Sequence, residues 1–361
     1  MRRWLFVLFL VLTPTAVFAQ TPVPEIKVDS NVDFLKLPPD LHFGEVSGVA
    51  VNSKGHVFVF SRGTTTGPAY GATAAQLLEF APNGKFIREV GKNLYAWSYA
   101  HTVRIDKDDN IWAVDKGSDM IVKFNPAGRV VMVFGRKKEA SDEAVPWTRV
   151  TPPRPAVDGQ FRQPTDVTWD TEGNIFISDG YINSRVAKFD KNGAWVKQWG
   201  DRGNKPGEFN TPHSIASDAK GNIYVADRGN RRIQVFDPNG TFIRAMTIDV
   251  PFDPATRPAQ GNMPSPEGAA AQNGAPWAIC ITPGPNQVLY SSDAYPGRLY
   301  KLTLEGKVLG VVGKSGKQPK QFGWIHEIAC PSENEVYVAE LLNWRIQKLT
   351  LRLEPRQTSS R

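Results

Sequence analysis

Six times along the chain a short apolar run meets a Gly/Asn-rich turn and resumes as a second apolar run. The pairs open at Val46, Ala100, Pro164, Pro212, Pro276 and Ile325. The first four turns read Asn52–Gly55, Asp106–Asn110, Asp170–Asn174 and Asp218–Asn222. Each pair leads into a polar corner and a third run, such as Arg232–Phe236. A second turn follows, such as Asn83–Gly84, Asn192–Gly193 or Asn239–Gly240, and then a fourth run. Short β-rich runs parted by such turns are hairpin signals. Four strands per unit, repeated six times, predict an all-β fold: a six-bladed β-propeller of four-stranded blades around a central channel, over residues 20–353. No segment keeps a helical period.

The sixth unit offers only three clear strands, and an open sheet edge is a liability. Phe34–Leu37, ahead of the first unit, is the expected source of the missing outer strand. Residues 137–162 and 249–275 are long inter-blade connections, either functional or disordered. Residues 354–361 are expected to be a disordered tail.

The N-terminus follows a different pattern. Arg2 and Arg3 precede an unbroken apolar run, Trp4–Leu12, and Val17-Phe18-Ala19 suits a cleavage site. This predicts a signal peptide over 1–19 with Gln20 as the mature start. As a helix the run rises only about 14 Å, against a hydrocarbon core of roughly 30 Å, so no stable membrane insertion is expected. The predicted location is secreted or periplasmic, as a monomer. Two cysteines, Cys280 and Cys330, exclude a disulfide-built scaffold and a thiolate metal site. They are offset by one place in the repeat, and buried free thiols are expected. Forty-three Lys+Arg against 36 Asp+Glu leave +7, too mild and too dispersed to argue for nucleic acid.

The second residue of each unit reads Ser47, His101, Thr165, His213, Trp277 and His326. Histidine thus falls on units two, four and six. Alternate blades of a six-bladed propeller are related by about 120° around the axis, and first strands line the channel. The spacing therefore predicts three imidazoles facing one another at one depth. Three histidines with an open position make a catalytic zinc site, though imidazole also suits other transition metals. His42 and His56 fit no such pattern and are read as surface residues. Beyond the second strands, most units carry an acid: Asp115, Asp179, Asp227, Asp293 and Glu340. These are read as structural corner acids. Arg62 replaces the acid in unit one, Arg228 follows Asp227, and Tyr181 follows Asp179-Gly180. Two arginines suit a substrate carboxylate, and a tyrosine beside cations suits a base.

These residues carry a family resemblance. Val46–Ala50, Ser61–Gly63, Gln163–Val167, Ser178–Tyr181 with Asn183–Arg185, Pro212–Ser214 and Ala226–Arg228 resemble the peptidyl-α-hydroxyglycine α-amidating lyases, among the NHL-repeat six-bladed propellers. The resemblance implies zinc on His101, His213 and His326, a catalytic Tyr181, and active-site Arg62 and Arg228. It implies a structural calcium on the backbone oxygens of Val49 and Val103 and on Glu327, where the family has Asp. It also implies that Trp324, in place of a family Met, Asn183 and Arg185 bind substrate. The expected activity is cleavage of an N-acyl-α-hydroxyglycine-like carbinolamide to an amide and glyoxylate. The expected partner is a small-molecule or peptide substrate bearing a carboxylate. Another metal-dependent hydrolase or lyase, or a non-catalytic NHL binding module, are the alternatives.

Overall fold

The computed structural model describes residues 23–63, 75–138, 150–152, 154–259 and 272–352. The expected leader and tail lie outside the described residues, as do parts of both long connections.

Six four-stranded antiparallel sheets succeed one another along the chain. Their innermost strands are Val46–Val51, Ala100–Ile105, Asp166–Trp169, Pro212–Ser217, Ile279–Ile281 and Ile325–Ala329. In blades 1 to 5 the next three strands follow in sequence order, so each blade is a meander. The turns work as their residues suggest. Asp106 Oδ1 accepts the backbone N–H groups of Asp108 at 3.0 Å and Asn110 at 2.9 Å. Asp170 and Asp218 repeat this in blades 3 and 4. The left-handed turn position is glycine in those two blades, Gly173 and Gly221, and Asp109 at φ 59° in blade 2. Asp tolerates that region better than most residues.

Blade 6 closes the ring with a strand from the other end of the chain. Val28–Asn31 pairs with Arg345–Leu351, Val28 opposite Leu351 and Asn31 opposite Lys348. The expected Phe34–Leu37 is therefore corrected. Lys36 N–H donates to the Gly84 carbonyl at 2.8 Å, on the outer turn of blade 1. Phe34, Leu35 and Leu37 pack against the apolar layer between blades 6 and 1. That apolar run marks wedge packing, with one isolated parallel bridge from Lys36 to Lys85 rather than a strand of blade 6.

The core is divided among the gaps between blades. Phe60, Trp97 and Phe124 fill the gap from blade 1 to blade 2; Trp112, Phe134 and Phe189 fill the next. Flat sheet faces pressed together around an axis leave the inner strands edge to edge at the centre, where polar groups gather. Cys280 and Cys330 form a disulfide there, joining the inner-strand regions of blades 5 and 6 with Cα atoms 6.1 Å apart. This corrects the expected free thiols. Neighbouring inner strands run so close that a one-place offset in the repeat still leaves a bridgeable Cα separation.

Candidate active site

Each ring histidine stands on an irregularity of its strand. The pairing of inner and second strands shifts register between Ala100 and Thr102, between Pro212 and Ser214, and between Ile325 and Glu327. The skipped residues are His101, His213 and His326. A bulge frees a residue from the alternation and re-aims its side chain. All three histidines are buried, with ring centroids 4.6 to 4.9 Å apart and candidate ligand nitrogens within 4.8 Å of one another. The three-fold ring expected from the spacing is present.

Backbone carbonyls fix the tautomers. His101 Nδ1 lies 2.6 Å from Thr165 O, His213 Nδ1 2.6 Å from Trp277 O, and His326 Nδ1 2.7 Å from Ser47 O. A carbonyl only accepts, so each Nδ1 carries the hydrogen and each Nε2 presents a lone pair. The acceptors are themselves second residues of the next blade, so one rule is applied around the ring. Burial holds all three imidazoles well below their usual range, reinforced by neighbouring charge from the other histidines, Arg62, Arg228 and Lys116. Three neutral, tautomer-fixed imidazoles are a donor set that fits a transition metal.

Tyr181 completes the site. Its hydroxyl is 3.2 Å from His213 Nε2 and 3.4 Å from His101 Nε2. Burial alone raises the phenol, but the charges of Lys116, Arg228 and Arg62 outweigh it and bring the group down to about 8. Lys116 Nζ lies 3.7 Å over the Tyr181 ring and the Arg228 guanidinium 5.5 Å from it. Arg228 also stacks 4.1 Å over Trp277; its Nε and Nη1 are buried without a hydrogen-bond partner. Arg62 is more committed. It pairs with Glu45, donates to Ala100 O at 3.2 Å and lies 3.9 Å over the Tyr99 ring. Lys116 was missed in the sequence. The register corrects the reading of Arg62 as a replacement for the acid of unit one: Ser61 lies opposite Val46 as Asp115 and Asp227 lie opposite Ala100 and Pro212, so Arg62, Lys116 and Arg228 share the next repeat position, and that recurrence was the signal.

Trp324 has φ 58° and packs on Trp277 with ring centroids 5.1 Å apart; Trp277 in turn lies 5.1 Å from His213. The two indoles wall one side of the ring. Asn183 and Arg185 do not join it. Asn183 Nδ2 donates to Asp179 at 2.6 Å, and Arg185 Nε to Asp179 at 3.1 Å. Arg185 Nη2 also donates to Val157 O and Gln160 O in the connection from blade 2. Arg232 and Arg345 do the same for Asp227 and Glu340 in blades 4 and 6. The substrate-binding expectation for Asn183 and Arg185 is thus replaced by a corner role, set by the buried acid each must satisfy. The acids behave as expected: Asp115 accepts backbone N–H groups from Ser98 and Ser118, and Asp227 from Asn210. Outside the site, His56 Nδ1 pairs with Glu79 at 2.7 Å.

The expected calcium ligands meet a different occupant. Arg104 Nε and Nη2 bind Asp166 at 2.9 and 2.5 Å. Nη2 lies 2.7 Å from Glu327 Oε1, within ion-pair reach but off the N–H direction. Glu327 Oε2 accepts from Thr102 Oγ1. Burial pushes the Glu327 carboxyl well above the usual range, Arg104 opposes this, and the Asp166 charge adds to it. With a guanidinium against its carboxylate, the set of Val49, Val103 and Glu327 does not fit a divalent cation.

A family model described as "6-bladed beta-propeller" matches residues 160–263. The chain is 26% identical over 346 residues to peptidyl-alpha-hydroxyglycine alpha-amidating lyase 1 of Drosophila melanogaster, covering 87% of this chain and 58% of that protein. It is 32% identical over 203 residues to NHL repeat-containing protein 3 of Mus musculus, covering 52% of this chain and 51% of that one. A solved streptogramin B lyase superposes with a TM-score of 0.54 at 15% identity, covering 90% of this chain and 98% of that one; this likeness concerns the fold. The chain is thus a six-bladed propeller resembling the NHL-type peptidyl-α-hydroxyglycine α-amidating lyases, and it spans little more than half the length of the two curated relatives named. No helix among the described residues is long and apolar enough to cross a membrane.

Proposed function

We propose that this protein is an exported, zinc-dependent C–N lyase that cleaves an N-acyl-α-hydroxyglycine or a similar carbinolamide into an amide and glyoxylate. The observation that carries the reading is Tyr181 OH, 3.2 and 3.4 Å from two ring nitrogens and surrounded by three cations. His101, His213 and His326 would hold the metal, which supplies Lewis acidity toward a substrate hydroxyl. Tyr181 accepts the hydroxyl proton. The oxygen's electron pair forms the aldehyde C=O, the C–N bond breaks, and its pair leaves on the amide nitrogen. Tyr181 returns the proton to that nitrogen, so atoms and charge balance. Arg228, whose Nε and Nη1 lack hydrogen-bond partners, is the cation that binds the substrate carboxylate. Lys116 and Arg62 favour the anionic form of Tyr181 and of the developing oxyanion. The Trp277–Trp324 wall receives the acyl side.

The test is turnover of N-benzoyl-α-hydroxyglycine by metal-loaded mature protein, measured as benzamide and glyoxylate in equal amounts. Loss on chelation and return with zinc support the reading; no product from loaded protein sinks it. A second reading, another metal-assisted lyase or hydrolase step, is favoured by the bulk of Trp324, and a panel of lactones and carbinolamides separates the two.

A further inference from the structure

Below the histidine ring the channel is crossed by one side chain. Arg104 is the fifth residue of the second inner strand, where the other units have Ala50, Thr168, Ala216, Cys280 and Ala329. It is the only charged residue at that position. Its guanidinium binds Asp166 of blade 3 through two nitrogens. Nη2 also reaches Ser214 Oγ of blade 4 at 3.2 Å, Ile279 O of blade 5 at 3.4 Å and Glu327 of blade 6 at 2.7 Å. Nη1 donates to Ile328 O at 3.3 Å. One cation from blade 2 thus touches the inner strands of the next four blades.

The partners are placed systematically. Thr102, Ser214 and Glu327 directly follow the three ring histidines. Ser214 and Glu327 meet Arg104, and Thr102 bonds Glu327. Ile279 and Ile328 carry carbonyls at the repeat position of Val49 and Val103, the positions that the family resemblance assigns to calcium. Ser214 Oγ and Ile215 N–H donate to Asp166 at 2.8 and 3.0 Å, so the acid opposite Arg104 is also held from blade 4.

The geometry points to Arg104 as a built-in cation: it takes the structural place of a calcium ion on the propeller axis and is the positioning residue of the histidine ring. A guanidinium suits this because it is planar, permanently charged and able to bind several oxygens in its plane at once. A covalent cation needs no free ion in solution. It also holds in register the residues that follow each histidine, and groups behind metal ligands typically change metal affinity about 10–100-fold when lost.

The claim about metal affinity rests on the metal reading of the ring; the claim about calcium does not. Chelator-dialysed mature protein is melted with and without excess calcium. A fold that binds calcium would gain roughly 5 °C at a hundredfold excess over Kd; Arg104 predicts no gain. Cobalt(II) is then titrated into wild type, Arg104→Met and Arg104→Lys, with visible ligand-field spectra as the readout. Expected are about 10–100-fold weaker cobalt binding and an altered spectrum in R104M, with R104K partly restored because it keeps the charge and loses the fork. A several-degree gain with calcium in wild type overturns the proposal. So does wild-type cobalt affinity and spectrum in folded R104M, or in R104K if R104M does not fold. Absence of any cobalt spectrum in wild type sinks the metal reading and the positioning role with it, while the calcium melt still decides what fills the axis.

Discussion

Tyr181 is the residue on which several independent placements converge. Its repeat position holds Gly63, Gly117, Gly229, Tyr295 and Leu342 in the other units, and here a phenol reaches two imidazole nitrogens under three cations. Tyr181→Phe keeps the ring and removes the proton acceptor. Turnover should fall about 10²–10⁴-fold with metal content unchanged, measured by product formation beside elemental analysis. Lys116→Met tests the missed cation. A positive charge at 3.7 Å favours the phenolate, so its loss raises the Tyr181 pKa. The acid limb of the rate profile should then move to higher pH, and an unmoved limb would remove Lys116 from the chemistry. Gly48 shows the same crowding from the other side. A Cβ there would stand 2.8 Å from Val103 N, so Gly48→Ala should cost about 1–3 kcal/mol in chemical denaturation.

At the level of elements, the inner strand is where function departs from regular structure. The register shift that re-aims His101, His213 and His326 recurs at Ser47 in blade 1, so the irregularity belongs to the scaffold and the histidines placed on it make the ring. The corner is the opposite case: acid, Asn and Arg recur as a bonded unit in blades 3, 4 and 6. Repetition misled the reading of Asn183 and Arg185, because a motif that recurs in a family recurs for scaffolding as well as for chemistry. The disulfide ties two inner-strand regions across 50 residues of sequence. Cys280→Ser with Cys330→Ser should lower stability by about 2–4 kcal/mol, seen as an earlier denaturation midpoint, with the histidine ring retained.

For the whole molecule, closure decides whether six weakly connected sheets behave as one body. Val28–Asn31 seals the edge of blade 6 and buries Val28. A chain that begins at residue 32 should melt earlier and self-associate through the exposed Arg345–Leu351 edge, a shift visible by light scattering during heating. A truncated chain with the full melting temperature and no added scattering would show that the strand is dispensable.

The sequence alone determined the blade count, the turn chemistry and the histidine ring, because each depends on local pattern repeated at a fixed interval. Asn-Gly and Asp-x-x-Gly-Asn turns act through their own backbone, and a three-fold spacing in a six-fold ring has one geometric meaning. Only the tertiary structure decided the closing strand, the Cys280–Cys330 bond, the corner role of Arg185 and the axial Arg104. Each of these depends on which distant segment fills a gap. Phe34–Leu37 reads as the strand-forming run and Val28–Asn31, with one apolar residue, does not, yet the wedge between blades 6 and 1 takes the first and leaves the sheet edge to the second. Arg104 looks like one charge among many until four other inner strands bring their oxygens to a common axis.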